Sequence, residues 1–159
     1  MKTRKIFTDD VLARILRWWA AAAMYFFIGW GTGVGYQSTV FDFVFFLGVA
    51  IGIFDMFVVN PIIYSVFNVK NPIRFTDKSI MKKVIYRLKY IARTMIILIF
   101  VVITYDIINF TAIIMFDLSP ETIVLPGEPI LFGIFYLIYY SLIVGLGLSI
   151  KRRMKENTK

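Results

Sequence analysis

The stretch Gly48-Val49-Ala50-Ile51-Gly52-Ile53-Phe54-Asp55-Met56-Phe57-Val58-Val59-Asn60-Pro61 decides how the chain is read. It sets a carboxylate, an amide and a proline inside a run of apolar residues. Asp55 is the only charge among the 27 residues between Asp42 and Lys70. A helix needs roughly 20 such residues to cross the hydrocarbon core of a bilayer, so the stretch reads as the middle of a membrane span. Ionisable groups inside a span are costly and mark bundle interiors or functional sites. Pro61 lacks an N–H and crowds the carbonyl of Phe57, which predicts a kink or an early helix end. Gly48, Gly52 and Asp55 share one helical face. Asn60, five residues beyond Asp55, points elsewhere unless the backbone near Pro61 distorts.

A second stretch, Thr104-Tyr105-Asp106-Ile107-Ile108-Asn109, answers the first. It lies in an apolar run, 94–116, with Asp106 as its only charge. Asp106 and Asn109 are three residues apart and share a face. Two further uncharged runs, 18–36 and 130–150, complete four spans. Trp18 and Trp19 mark one interface of the first. Gly29-x-x-x-Gly33 and Gly31-x-x-x-Gly35 permit close helix approach. That glycine run follows no strand and carries no lysine where a phosphate loop needs one.

The connections are as informative as the spans. The chain of 159 residues has 18 Lys and Arg against 10 Asp and Glu, a net charge of +8. Five basic residues precede the first span, eight lie between the second and third, and five follow the fourth; the other two connections have none. Positively charged flanks mark the cytoplasmic side, so both termini are expected there, in a cell (inner) membrane protein. Thr8-Asp9-Asp10 is a helix start with an apolar stripe behind it, which predicts an interfacial helix over about 8–17. Thr76-Asp77 and the spacing of Ile80, Val84 and Leu88 predict another over about 77–92, running into the third span. Its Lys78, Lys82, Lys83 and Arg87 suit a surface of anionic inner-leaflet lipids. The loop 117–129 is acidic and proline-rich, as a solvated loop is.

The expected fold is therefore an all-α membrane protein: a four-helix transmembrane bundle in one polytopic domain, with spans near 18–36, 43–67, 94–116 and 130–150. Mean hydropathy of +0.76 and 59% hydrophobic residues exceed the norm for soluble domains. The basic residues flank apolar runs, which argues for topology and against nucleic acid. With no cysteine and no histidine, thiolate chemistry, a histidine base and the usual zinc sites are excluded. No metal, cofactor or catalytic residue is assigned. Richness in Ile, Phe and Lys associates with bacteria of A/T-rich genomes.

Counting helical rise from the loop-side ends, Asp55 lies about 20 Å from Asp42 and Asp106 about 16 Å from Asp117. The two aspartates are thus expected at similar depth. A polar layer of Asp55, Asp106, Asn109, Asn60, Tyr25 and Tyr140 follows, structural or serving an ion or substrate. Two carboxylates sharing a low-dielectric site do not both ionise comfortably. Three functional classes remain. The first is an accessory or structural subunit of a larger membrane assembly, bound to another membrane protein or to its own copies. The second is a proton, cation or small-solute transport component using the Asp55/Asp106 layer. The third is an aspartate-dependent membrane enzyme.

Overall fold

A computed structural model describes residues 9–31, 39–67 and 80–156. Helix α1, Asp9–Tyr25, continues through a π-helical turn, Phe26–Gly31. Helix α2, Val40–Phe54, is capped by the Thr39 hydroxyl, which accepts from the Asp42 N–H. A second π turn, Asp55–Val59, leads straight into α3, Asn60–Val66. Helix α4 is a single element, Ile80–Met115, and α5 is Pro129–Glu156. The described residues contain no strand. Four of these helical stretches are long and apolar enough to cross a membrane: Val11–Gly29, Phe41–Val66, Ile80–Met115 and Pro129–Gly147.

The helices form a ring in which α1 packs on α2 and α5, and α4 packs on the other sides of α2 and α5. Leu47, Ile97, Leu98 and Val101 fill its centre, with Ala21, Phe132 and Tyr136. Gly48 and Gly52 let α2 approach α4 closely. A Cβ on Gly52 would stand 3.2 Å from Ile91 Cγ1 and 3.4 Å from its Cα. Gly133 does the same for α1, since a Cβ there would stand 3.0 Å from the Trp18 carbonyl. Helix α4 ends on Asp117 in a left-handed conformation (φ 48°), with the Leu118 N–H donating back to the Ile113 carbonyl; this closes carbonyls the helix leaves open.

Two boundaries differ from the sequence expectation. The 8–17 segment is not a separate interfacial helix: within the described residues α1 runs unbroken past Arg14 and Arg17. No helix breaker stands between Arg17 and Trp18, and Arg17 finds a counter-charge inside the bundle. Pro61 does not end the second apolar helix: the π turn leads into Asn60–Val66, where Pro61 sits in the first turn and its missing N–H is tolerated. The helix expected to run into the third apolar run is one element with it from Ile80 onward, as α4. Residues 77–79, Lys78 among them, lie outside the described residues.

Candidate functional site

The π turn at Asp55–Val59 builds the site. The N–H of Asn60 donates to the carbonyl of Asp55, five residues back, and Pro61 follows with no N–H to give. On a regular α-helix, positions five apart point about 140° away from each other. The widened turn swings Asn60 round to the side of Asp55. Such π bulges recur at functional sites. Asp55 and Asn60 are both buried.

Arg17, on α1, reaches both. Its Nη1 donates to Asp55 Oδ1 and Oδ2, each at 2.8 Å, and its Nη2 donates to Asn60 Oδ1 at 2.6 Å. Tyr90, from α4, closes the group. Its hydroxyl donates to Asp55 Oδ2 and accepts from Asn60 Nδ2 at 3.0 Å; Arg17 Nη1 lies 3.4 Å from the same oxygen. The side chains of Arg17 and Asp55 are only 13% and 7% exposed. The guanidinium also sits 4.9 Å from the centre of the Tyr140 ring on α5. Four elements, α1, the π turn with α3, α4 and α5, are thus tied at one point. Both Asp55 oxygens are engaged, Oδ1 by Arg17 and Oδ2 by Arg17 and Tyr90.

A second arginine stands beside this group. The guanidinium of Arg93 lies 4.3 Å over Tyr90 and 5.2 Å from the Tyr140 ring centre. Its Nε is buried with no hydrogen-bond partner. Thr94, 1% exposed, turns its hydroxyl back onto the Tyr90 carbonyl at 3.1 Å.

The expected layer does not form as one unit. Asp106 is 16 residues beyond Tyr90 on the same helix, about 24 Å away along its axis, and its side chain is exposed. The depth count failed because α4 extends past the start of α2: Gly48 and Gly52 face Met95 and Ile91, which sets Asp106 near the level of Thr39. Asn109 and Tyr25 belong to the opposite end of the bundle. The Asn109 amide brackets the backbone of Leu125, accepting from its N–H at 2.7 Å and donating to its carbonyl at 3.3 Å. The Tyr25 hydroxyl donates to the Gly127 carbonyl at 3.0 Å, with its ring stacked on Phe132. These two residues pin the 117–128 loop. A cavity of about 280 Å³ lies between them, lined by Phe43, Val102, Tyr105 and Ile123. Of the basic residues on α4, Lys82 and Arg87 are exposed and Lys83 half-buried; Arg87 lies 5.3 Å over the Phe57 ring.

Arg17, Tyr90 and Arg93 were not anticipated as site residues. The available signal was that an acid inside a span needs a cation. Arg17 and Arg93 are the basic residues that directly abut the uncharged runs 18–36 and 94–105. Among the described residues no three His, Cys, Asp or Glu side chains gather to hold a metal ion. Set against known protein families, curated proteins and solved structures, the chain matches none.

Proposed function

We propose that the protein is a four-span inner-membrane protein, both termini cytoplasmic, serving as a structural or accessory subunit of a larger membrane assembly. The observation that carries this reading is the closed Arg17–Asp55–Asn60–Tyr90 group. Its hydrogen bonds fasten α1, the π turn with α3, and α4 to one another, so the polar interior works as a latch. The orientation rests on the charge distribution: the connections 32–42 and 116–130 contain no Lys or Arg. Docking is favoured on α5, where a Cβ at Gly145 or Gly147 would meet nothing within 4 Å. Bare backbone of that kind accepts a close helix neighbour.

The test is purification of the tagged protein from its native membrane in mild detergent, followed by native mass spectrometry. A complex of fixed stoichiometry with another membrane protein is expected. A lone species that moves protons or cations in proteoliposomes overturns the proposal.

One observation favours transport as the second reading. Pro61 and the π turn distort the helix beside a buried carboxylate, and helix irregularities of this kind accompany transport sites. Under that reading Asp55 must leave Arg17 during the cycle, and Asp55→Asn abolishes flux.

A further inference from the structure

Two guanidinium groups and one carboxylate meet where α1, α4 and the π turn converge. Arg17 and Asp55 cancel each other. Arg93 has no carboxylate partner among the described residues, and its buried Nε makes no hydrogen bond. The faces of Tyr90 and Tyr140 attract its charge, but they leave its donors unfilled. Arginine offers five N–H donors in a planar fork. Only Nε is among the buried unpartnered nitrogens and the residue is half-buried, so the terminal nitrogens open outward.

Its position is equally specific. Arg93 is the last basic residue of α4 before the uncharged run 94–105. Lys89 and Arg87 lie exposed on the preceding turns. Tyr64 and Tyr86 are within electrostatic reach of Arg93, and tyrosines concentrate at membrane interfaces. Beyond it, Ile96 and Phe100 on α4 and Ile134 and Ile138 on the antiparallel α5 are exposed apolar side chains.

We infer that Arg93 heads a binding site for the phosphodiester of an anionic phospholipid. The guanidinium fork matches two phosphate oxygens. The neighbouring basic residues add positive potential for an anionic headgroup. The acyl chains lie along the apolar surfaces of α4 and α5. A phosphate is favoured over a partner's carboxylate because the charge boundary and the tyrosines place Arg93 at headgroup level. The inference is independent of the subunit reading.

The test uses the full chain, stripped of lipid in detergent and titrated with phosphatidylglycerol, with bound lipid counted by native mass spectrometry. One retained molecule is expected. Arg93→Gln should weaken retention at least about tenfold, the effect of losing a charged hydrogen-bond partner. Arg93→Lys, which keeps the charge without the fork, should fall between, and Lys89→Gln, which removes only added potential, should weaken retention less than Arg93→Gln does. Diacylglycerol should not be retained, and inorganic phosphate should not displace the lipid. Unchanged retention in Arg93→Gln overturns the site. Equal retention of diacylglycerol reduces it to an apolar contact, and full displacement by phosphate reassigns it to the free anion; either overturns it as a phospholipid site. Circular dichroism checks that Arg93→Gln is folded; if it is not, unchanged retention in Arg93→Lys overturns the fork.

Discussion

Asp55→Asn keeps the shape of the side chain and an acceptor for Tyr90 but removes the negative charge. Arg17, 13% exposed, then stays inside the bundle without a counter-ion. Two magnitudes compete for the outcome. A hydrogen bond between membrane helices contributes about 0.6 kcal/mol on average. Breaking one side of a buried ion pair costs about 3–5 kcal/mol, because the other charge is left uncompensated. The second governs here: both Asp55 oxygens stand 2.8 Å from Arg17 Nη1, and no other described carboxylate bonds Arg17. Unfolding in mixed micelles, followed by the fluorescence of Trp18, Trp19 and Trp30, should show a loss of about 3–5 kcal/mol. Adding Arg17→Met removes the stranded charge and should return most of that loss. A loss below about 1 kcal/mol, the range of exposed ion pairs, refutes the reasoning.

Tyr90→Phe removes a hydroxyl that serves three partners and should cost about 1–3 kcal/mol in the same unfolding measurement. Pro61→Ala restores an N–H and lets the π turn relax toward α-helix, carrying Asn60 away from Arg17. Its loss of stability should therefore be non-additive with that of Asn60→Ala in a double-mutant cycle. Gly52→Ala brings a Cβ to 3.2 Å from Ile91 Cγ1 and should cost about 1–3 kcal/mol. Gly147→Ala, in open space, should be neutral or stabilising by about 0.5–1 kcal/mol in thermal unfolding. Asp106→Asn, at an exposed position, should change unfolding free energy by no more than about 0.5 kcal/mol; a loss of the size expected for Asp55→Asn would restore Asp106 to the site.

The four long apolar helices and the burial of Asp55 were legible because they rest on composition and on the cost of charge in apolar surroundings. The register between helices was not. Asp106 was set level with Asp55 by counting from the nearest loop, and nothing in the sequence says that α4 overhangs α2. The position of Asn60 was open for the same kind of reason. Pro61 announces a distortion, but whether the turn tightens, breaks or widens depends on what waits at the other side. Arg17 waits there, and widening gives it a second acceptor. Arg17 itself was read as a flanking charge, since a basic residue before Trp18-Trp19 is what a membrane boundary looks like. Only the packing of α1 on α2 distinguishes the two roles.

The most direct measurement replaces the pair with uncharged side chains of similar bulk, Arg17→Met with Asp55→Leu, and asks whether the protein still co-purifies in the proposed membrane assembly. Buried ion pairs exchanged for well-packed apolar residues are often neutral or stabilising. A latch therefore predicts a folded double variant that assembles as the parent does. A double variant that folds with parental stability but no longer assembles would show that the charges themselves do the protein's work, and would contradict the structural role assigned to Asp55.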